Sequence, residues 1–223
     1  LVAGSPEMPG AARLAAGAAL RGGAGYVRLS TPGVADPAAP VEAVTHPVDA
    51  EEWSADVLDG AQRFAAVAIG PGLGRAESTV REVRHLVGAL ERPLVIDGDA
   101  LWALGPDVVA SCADRVAPTV LTPHDGEFAR LTGAPPGADR IDAARRLAGA
   151  TGATVLLKGP TTVVAAPAGE TLLVRSGDQR LATAGTGDVL TGLVAAHLAL
   201  GAPPERAAAS AAHLHGLAAG LGP

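Results

Sequence analysis

Short apolar, β-branched runs alternate along the chain with longer Ala-rich segments, the order of βαβ units built around a buried parallel sheet. Leu1 to Gly4 reads as the end of a strand, and a helix follows from about Ala11 to Arg21, stopped at Gly22-Gly23. Tyr26 to Thr31 and Val41 to His46 read as strands. Phe64 to Ile69 is a buried strand ending in Gly70-Pro71-Gly72-Leu73-Gly74, with a helix from Ala76 to Leu90 behind it. Pro93 to Ile96 predicts a strand leading into an Asp97-Gly98-Asp99 turn, and Thr119 to Leu121 another. Gly126 to Leu131 and Ile141 to Gly149 read as helices. Three close-spaced strands follow, Val155 to Leu157, Thr162 to Ala166 and Thr171 to Val174, which predict hairpins at one edge of the sheet. Two long helices close the chain, Asp188 to Leu200 and Pro204 to Ala219. No linker, repeat or charge block interrupts this order. Residues 1–223 are therefore expected to form one three-layer α/β/α domain with a mostly parallel sheet and antiparallel edge strands. The chain opens without Met and almost inside a strand, so a truncated N-terminus is expected.

Composition narrows the partners. With 48% hydrophobic residues in 223, the chain has the apolar content to bury a core and is not a disordered one. Only 2% of positions are aromatic, so that core must be made of Ala, Val and Leu. A formal net charge of −6 argues against nucleic acid, which needs a basic footprint. No apolar run reaches the roughly 18 residues of a membrane span. Cys112 is alone, which excludes a disulfide framework and fits a reducing, cytoplasmic setting. Lys158 is the only lysine among 17 basic residues, in a chain that otherwise uses Arg.

Five segments could carry chemistry. Ala182-Thr183-Ala184-Gly185-Thr186-Gly187-Asp188 stands directly before a long helix. Glycines there let backbone N–H groups converge, and the helix start adds its positive dipole end, which together suit a phosphate. Asp188 would lie beside that phosphate, able to take a proton from a hydroxyl; equally, an acidic residue simply favours a helix start. Leu157-Lys158-Gly159-Pro160-Thr161-Thr162 puts a cation at a strand end, either on a phosphate or in an ordinary hairpin. The Gly70–Gly74 loop follows a strand, where open α/β sheets bind ligands. It matches neither the common NTPase loop nor the dinucleotide fingerprint. In Thr122-Pro123-His124-Asp125-Gly126-Glu127, Thr122 is expected to cap a helix with Pro123 at its first position. His124, in that first turn, should favour its neutral form and suit hydrogen bonding to a ligand. Asp97 and Asp99 could hold Mg²⁺ through water, or Asp99 could cap the next turn. His213 and His215, two apart on a helix, diverge and make a poor metal pair.

Taken in order, these segments resemble the ADP/ATP-dependent NAD(P)H-hydrate dehydratases, whose fold is ribokinase-like. The resemblance runs through GAARLAAGAALRGGAGYVRL, GPGLG, PLVIDGDAL, LTPHDGEFARL, VLLKGPTT, ATAGTGDVLTGLVAAHLALG and AAHLHGLAAG, nearly the whole chain. It implies a repair lyase that removes water from the S-epimer of hydrated NADH or NADPH (NADHX or NADPHX), consuming ADP or ATP with Mg²⁺. It implies an adenine-nucleotide site at Lys158, Gly159, Pro160, Thr161 and Thr162 and along Asp178 to Gly187, with Ala182, Thr183, Gly185, Thr186 and Gly187 among its residues. Ala11, Gly72, Gly74, His124 and Asp188 would contact the hydrate, and Asp188, Gly185 and Gly187 would carry the chemistry. A homotetramer is the implied assembly. Two positions depart from the family's GNPGMATGGTGD: Asp178 stands for Asn and adds negative charge, and Ala184 stands for Gly and restricts the backbone. A small-molecule kinase of the same fold, or a catalytically silent nucleotide-binding protein, are the competing readings.

Overall fold

In the computed structural model, which describes residues 1–221, Arg28–Leu29 (β1) and Val44–Thr45 (β2) pair in parallel. Val2 ties this pair to the main sheet by bridging Ser30 on one side and Ile69 on the other. The main sheet holds Val67–Ile69 (β3), Leu94–Ile96 (β4), Thr119–Leu121 (β5), Thr154–Leu157 (β6), Thr162–Ala165 (β7) and Thr171–Val174 (β8), side by side in chain order. β3 to β6 are parallel, in a register that sets Val67 against Leu94, Leu94 against Thr119 and Val120 against Thr154. β7 and β8 join antiparallel as hairpins at the edge. A mostly parallel sheet with antiparallel edge strands is what the spacing of the apolar runs predicts.

Helices cover both faces, which is why the parallel strands are buried at every position and point apolar residues to both sides rather than alternating apolar with exposed polar ones. Ile69, Leu94, Ile96, Leu121, Val155 and Leu157 point into one core layer. Its other wall is Ser54–Ala61 (α2), Glu77–Ala89 (α3), Gly98–Leu104 (α4), Val108–Ala113 (α5), Asp125–Thr132 (α6) and Arg140–Thr151 (α7). Ala68, Val95, Val120, Leu156 and Val164 point the other way, against Thr186–Ala199 (α8) and Pro204–Leu221 (α9). Pro9–Arg21 (α1) packs along α8 and joins Val27 and Leu29 in a smaller Ala-rich cluster. Small residues make that approach possible. A Cβ at Gly192 of α8 would run into the Ala15 carbonyl of α1.

Several local expectations shift. The strands expected over Tyr26–Thr31 and Val41–His46 shorten to two residues each. The expected DGD turn is the start of α4, where Asp97 occupies the N-cap position without a side-chain cap and Asp99 lies inside the first turn. Asp99 is therefore not the cap. Helices α2 and α5 carry no signal that sequence reading picked up. The start of α2 is satisfied from a distance: Glu82 on α3 accepts hydrogen bonds from the Trp53 and Ser54 N–H groups, each at 2.9 Å, and from the Ser54 hydroxyl at 2.7 Å. A capping partner 28 residues away cannot be read from local pattern.

Two glycines in helices are expected to behave oppositely. Gly192→Ala should force α1 and α8 apart and lower stability by about 1–3 kcal/mol in urea unfolding. Gly149 in α7 has open space around it, so Gly149→Ala should raise stability by about 0.5–1 kcal/mol in the same measurement.

Candidate active site

The four parallel strands end on one edge of the sheet, and each delivers a polar or flexible element there. β3 runs into the Gly70–Gly74 loop, β4 into Asp97, β5 into Thr122 and β6 into Lys158. The N-terminus of α8 arrives at the same edge: a Cβ placed on Gly187 would lie 3.7 Å from Lys158 Nζ and 4.0 Å from Asp97 Oδ2.

Asp97 is the centre of this edge. It is 2% exposed, yet its carboxylate is fully engaged. Oδ1 accepts from Lys158 Nζ at 2.8 Å and from the Thr122 hydroxyl at 2.7 Å. Oδ2 accepts from the Thr191 hydroxyl, one turn into α8, at 2.6 Å. Burial by itself would raise the Asp97 pKa. The Lys158 charge and these three donors outweigh it and hold the carboxyl below its usual range. Burial pulls Lys158 down in turn, but Asp97, with Glu127 Oε2 at 3.6 Å, keeps it above its usual value. Lys158 is thus neither the solvated hairpin lysine nor a free phosphate ligand. It is an ammonium pinned at the mouth of α8.

The TPHDGE segment is wired differently from its local reading. The helix starts at Asp125, and His124, not Thr122, is its N-cap. His124 Nδ1 accepts from the N–H of Gly126 at 3.0 Å and of Glu127 at 3.2 Å, while Glu127 Oε2 accepts from the His124 N–H at 2.8 Å. Pro123 precedes the cap, and Thr122 is drawn inward because Asp97 offers its hydroxyl a charged acceptor. An Nδ1 that accepts two N–H bonds leaves Nε2 as the ring's donor, on an exposed residue and 3.5 Å from Glu127 Oε1. Glu127 then links the histidine cap to Lys158.

The glycine loop meets the other side of Asp97. Gly72 adopts φ +63°, and a Cβ there would press on Ala11 and Met8, so this loop and the start of α1 are in direct contact. The Gly74 N–H donates to Asp99 Oδ2 and Arg75 Nε to Asp99 Oδ1, both at 2.9 Å. Asp97 and Asp99, the two candidate Mg²⁺ ligands, are therefore committed to internal partners. Among the described residues no group of three or more His, Cys, Asp or Glu side chains could hold a metal ion by itself.

Asp188 contrasts with Asp97. It is half-buried in the first turn of α8, and its carboxylate has no hydrogen-bond or ion-pair partner among the described residues. Burial, then the nearby Asp97 charge, raise its pKa to about 6, with Lys158 pulling the other way and Asp99 adding to the rise. Gly185, the N-cap of α8, holds φ +92°, a left-handed conformation in which a side chain is strained, and a Cβ would also meet Leu14 Cδ1 at 2.6 Å. The N–H groups of Gly187 and Asp188 belong to the first helical turn and have no intrahelical carbonyl to bond.

A cavity of about 530 Å³ opens beside this point, between the KGPTT turn, the 176–182 segment and α9. Lys158, Gly159, Pro160, Thr162, Ala182, Thr186 and Gly187 line it, as expected of a nucleotide site; Thr161, Thr183 and Gly185 do not. Leu181, Leu190, Ala212 and His215 complete an apolar end that the sequence did not disclose. Burial lowers the His215 pKa and favours the neutral ring. The signal for it, a histidine on the same helix turn as Ala212, is visible only once α9 is known to face the cavity.

The two departures from the family pattern are accommodated locally. Asp178 caps the short 3-10 turn Gln179–Ala182, accepting from the Arg180 N–H at 2.9 Å, and pairs with the Arg180 guanidinium at 2.7 Å. These contacts hold the Asp178 carboxyl down at about 2 and offset its charge. Ala184 needs no unusual backbone, because no residue other than glycine has positive φ among the described residues.

The NAD(P)H-hydrate dehydratase family model matches residues 1–222. The bifunctional NAD(P)H-hydrate repair enzyme of Mycobacterium tuberculosis is 45% identical over 94% of this chain, and the chain spans only 42% of that relative's length. The ADP-dependent (S)-NAD(P)H-hydrate dehydratase of Bacillus subtilis is 37% identical over 99% of this chain and 79% of its own. A crystal structure of the B. subtilis enzyme, grown with ATP and Mg²⁺, superposes with a TM-score of 0.85 over 99% of this chain and 78% of that one, at 36% identity. A ribokinase-like superfamily protein from Enterococcus faecalis gives 0.82 over 97% and 76%, at 26% identity. The resemblance read from seven segments thus holds over the full length, in sequence and in fold, and the chain belongs to the NAD(P)H-hydrate dehydratase family.

Proposed function

We propose that this chain dehydrates the S-epimer of hydrated NADH or NADPH at the expense of ADP or ATP, restoring the reduced cofactor. The observation that carries the reading is a carboxylate without a partner among the described residues, Asp188, in the same first turn of α8 as Thr186 and Gly187, which line the 530 Å³ cavity. The cavity has a charged end at Lys158 and Gly187 and an apolar end at Leu181, Leu190 and His215. A nucleotide fits with its phosphates toward α8 and its base toward α9. The hydrate is assigned to Ala11, the Gly70–Gly74 loop that packs on the start of α1, and His124, whose Nε2–H can donate to a carboxamide oxygen.

Hydroxide is a poor leaving group and phosphate a good one. Asp188 takes the proton of the C6 hydroxyl, and the oxygen attacks the terminal phosphoryl group of the nucleotide. AMP leaves from ADP, or ADP from ATP. The N–H groups at the α8 mouth and the Lys158 ammonium stabilise the charge that develops on the phosphoryl oxygens. The ring nitrogen then pushes its electron pair toward C6, phosphate departs, and loss of a proton from the neighbouring ring carbon restores the double bond. Mg²⁺ belongs to this reading as part of the nucleotide complex, since among the described residues no group of three or more His, Cys, Asp or Glu side chains could hold it alone. The same reading takes the protein as cytoplasmic, on the strength of its lone Cys112, and as homotetrameric, on the strength of the family resemblance.

Incubation with the S-hydrate, Mg²⁺ and ADP or ATP should return near-ultraviolet dihydronicotinamide absorbance with release of phosphate. A stable phosphate ester without that absorbance would identify a kinase instead, and nucleotide binding without turnover would identify a silent binding protein. Asp188→Asn should cut turnover by roughly 10² or more while nucleotide affinity, measured by calorimetry, persists. Because Asp188 is raised to about 6, it is the active carboxylate above that pH, and turnover should fall as pH drops through it. His124 separates structure from binding. His124→Ala should lose about 1 kcal/mol of stability with the cap, whereas His124→Asn should retain the cap. Both should raise the KM for the hydrate, and an Asn variant with unchanged KM removes His124 from the substrate site.

A further inference from the structure

The dehydratase reading gives Asp188 the proton transfer but leaves the more deeply buried Asp97 without a task. Asp97 touches four elements at once, through its own place after β4, Thr122 after β5, Lys158 after β6 and Thr191 in α8. All three partners converge on one carboxylate that is shielded from water, and Thr191 itself is fully buried. A helix N-cap or a simple counter-ion for Lys158 would not call for this. The N-cap bond is not made, and Lys158 has a second carboxylate in Glu127.

We propose that Asp97 is a positioning residue for the reaction, fixing the Lys158 ammonium at the mouth of α8 and setting by its charge how tightly Asp188 holds a proton. The inference rests on the reading of Asp188 as the base. Its geometric basis is the proximity of Gly187, the residue before Asp188, to both members of the pair, 4.0 Å from Asp97 Oδ2 and 3.7 Å from Lys158 Nζ when measured from a Cβ position. Asp188 follows Gly187 in the first turn of α8 and is half-buried, so the negative Asp97 raises the proton affinity of its carboxylate and the positive Lys158 opposes it. The other charged groups around Asp188 are accounted for. Asp99 adds a smaller push in the same direction as Asp97 and is itself tied to Arg75. Glu127 faces Lys158. The two arginines of α1 are bound elsewhere, Arg13 to Asp36 and Arg21 to the Gly17 carbonyl. β3 presents no titratable side chain, and from α9 the imidazole of His215 lines the nucleotide cavity. The consequence is a base that is largely ionised at neutral pH yet keeps enough proton affinity to remove a hydroxyl proton in the transition state.

Asp97→Asn tests this directly, because the amide keeps the shape and can still accept from Lys158 and Thr122 while Thr191 turns to accept from it. The Asp188 carboxyl carbon is followed by NMR across pH in ¹³C-aspartate-labelled protein, assigned by its loss in Asp188→Asn. In Asp97→Asn the midpoint should fall by about one pH unit, and the acid limb of the turnover profile should move down with it. A lost packing role alone would lower turnover at every pH and leave the midpoint in place. Should the single variant fail to fold with Lys158 uncompensated, Asp97→Asn/Lys158→Met removes both charges together; the midpoint should again fall, by less, as the opposing pull is gone too. A midpoint at or above the wild-type value in whichever variant folds overturns the proposal. Failure of the dehydratase reading is distinct, showing as a wild-type protein without turnover, whereas failure here shows as an unmoved midpoint in an active one.

Discussion

A buried ion pair holds this site together. Lys158 and Asp97 meet at 2.8 Å at the ends of β6 and β4, and the pair is closed by hydroxyls from Thr122 and Thr191. Such a pair is not automatically stabilising, because both ions lose their water; its satisfaction by extra hydrogen bonds is what makes it tolerable. Once formed it is rigid, since removing one partner strands a buried charge at a cost of about 3–5 kcal/mol. That rigidity fixes where α8 begins relative to the sheet, and with it the position of every N–H group at the helix mouth.

The two aspartates on either side of this pair show how environment assigns roles to identical side chains. Asp97 is surrounded by donors and is held ionised below its usual range. Asp188, in the first turn of α8, has no donor among the described residues and is pushed up to about 6 by burial and by the charge of Asp97. One carboxylate is held toward its charged form by the donors around it, and the other can exchange a proton near neutral pH. Asp97 and Asp99, which a DGD turn at a strand end offers as Mg²⁺ ligands, commit their oxygens to partners within the protein.

Packing of small residues brings the remaining parts of the cleft to the same place. α1 lies close along α8 because Gly192 leaves room for the Ala15 carbonyl, and the start of α1 then meets the glycine loop at Gly72. Ala11 and Gly72 are brought together by this packing, not by any chemistry of their own. An aromatic-poor core of Ala, Val and Leu suits this close approach of helices and sheet. The 530 Å³ cavity forms where α9 passes the antiparallel edge, so its shape depends on the hairpins that close the sheet.

The order of apolar runs and Ala-rich segments was sufficient to determine the three-layer architecture, the parallel centre and the antiparallel edge, because burial on both faces imposes a continuous apolar strand that local reading detects. Seven motif segments in order likewise determined the family, and the conjunction of the GTGD turn with a lone lysine marked the two halves of the site. What local pattern could not supply was partnership across sequence distance. Glu82 caps α2 from 28 residues away, and Thr191 reaches Asp97 from 94. His124 took the cap from Thr122 because a buried carboxylate 25 residues upstream claimed the threonine hydroxyl. His215 faces the cavity only by virtue of how α9 is docked. Hydrogen bonds and charges act through space at a few ångströms, so residue types fix which partners are chemically possible, and only the folded chain decides which of them meet.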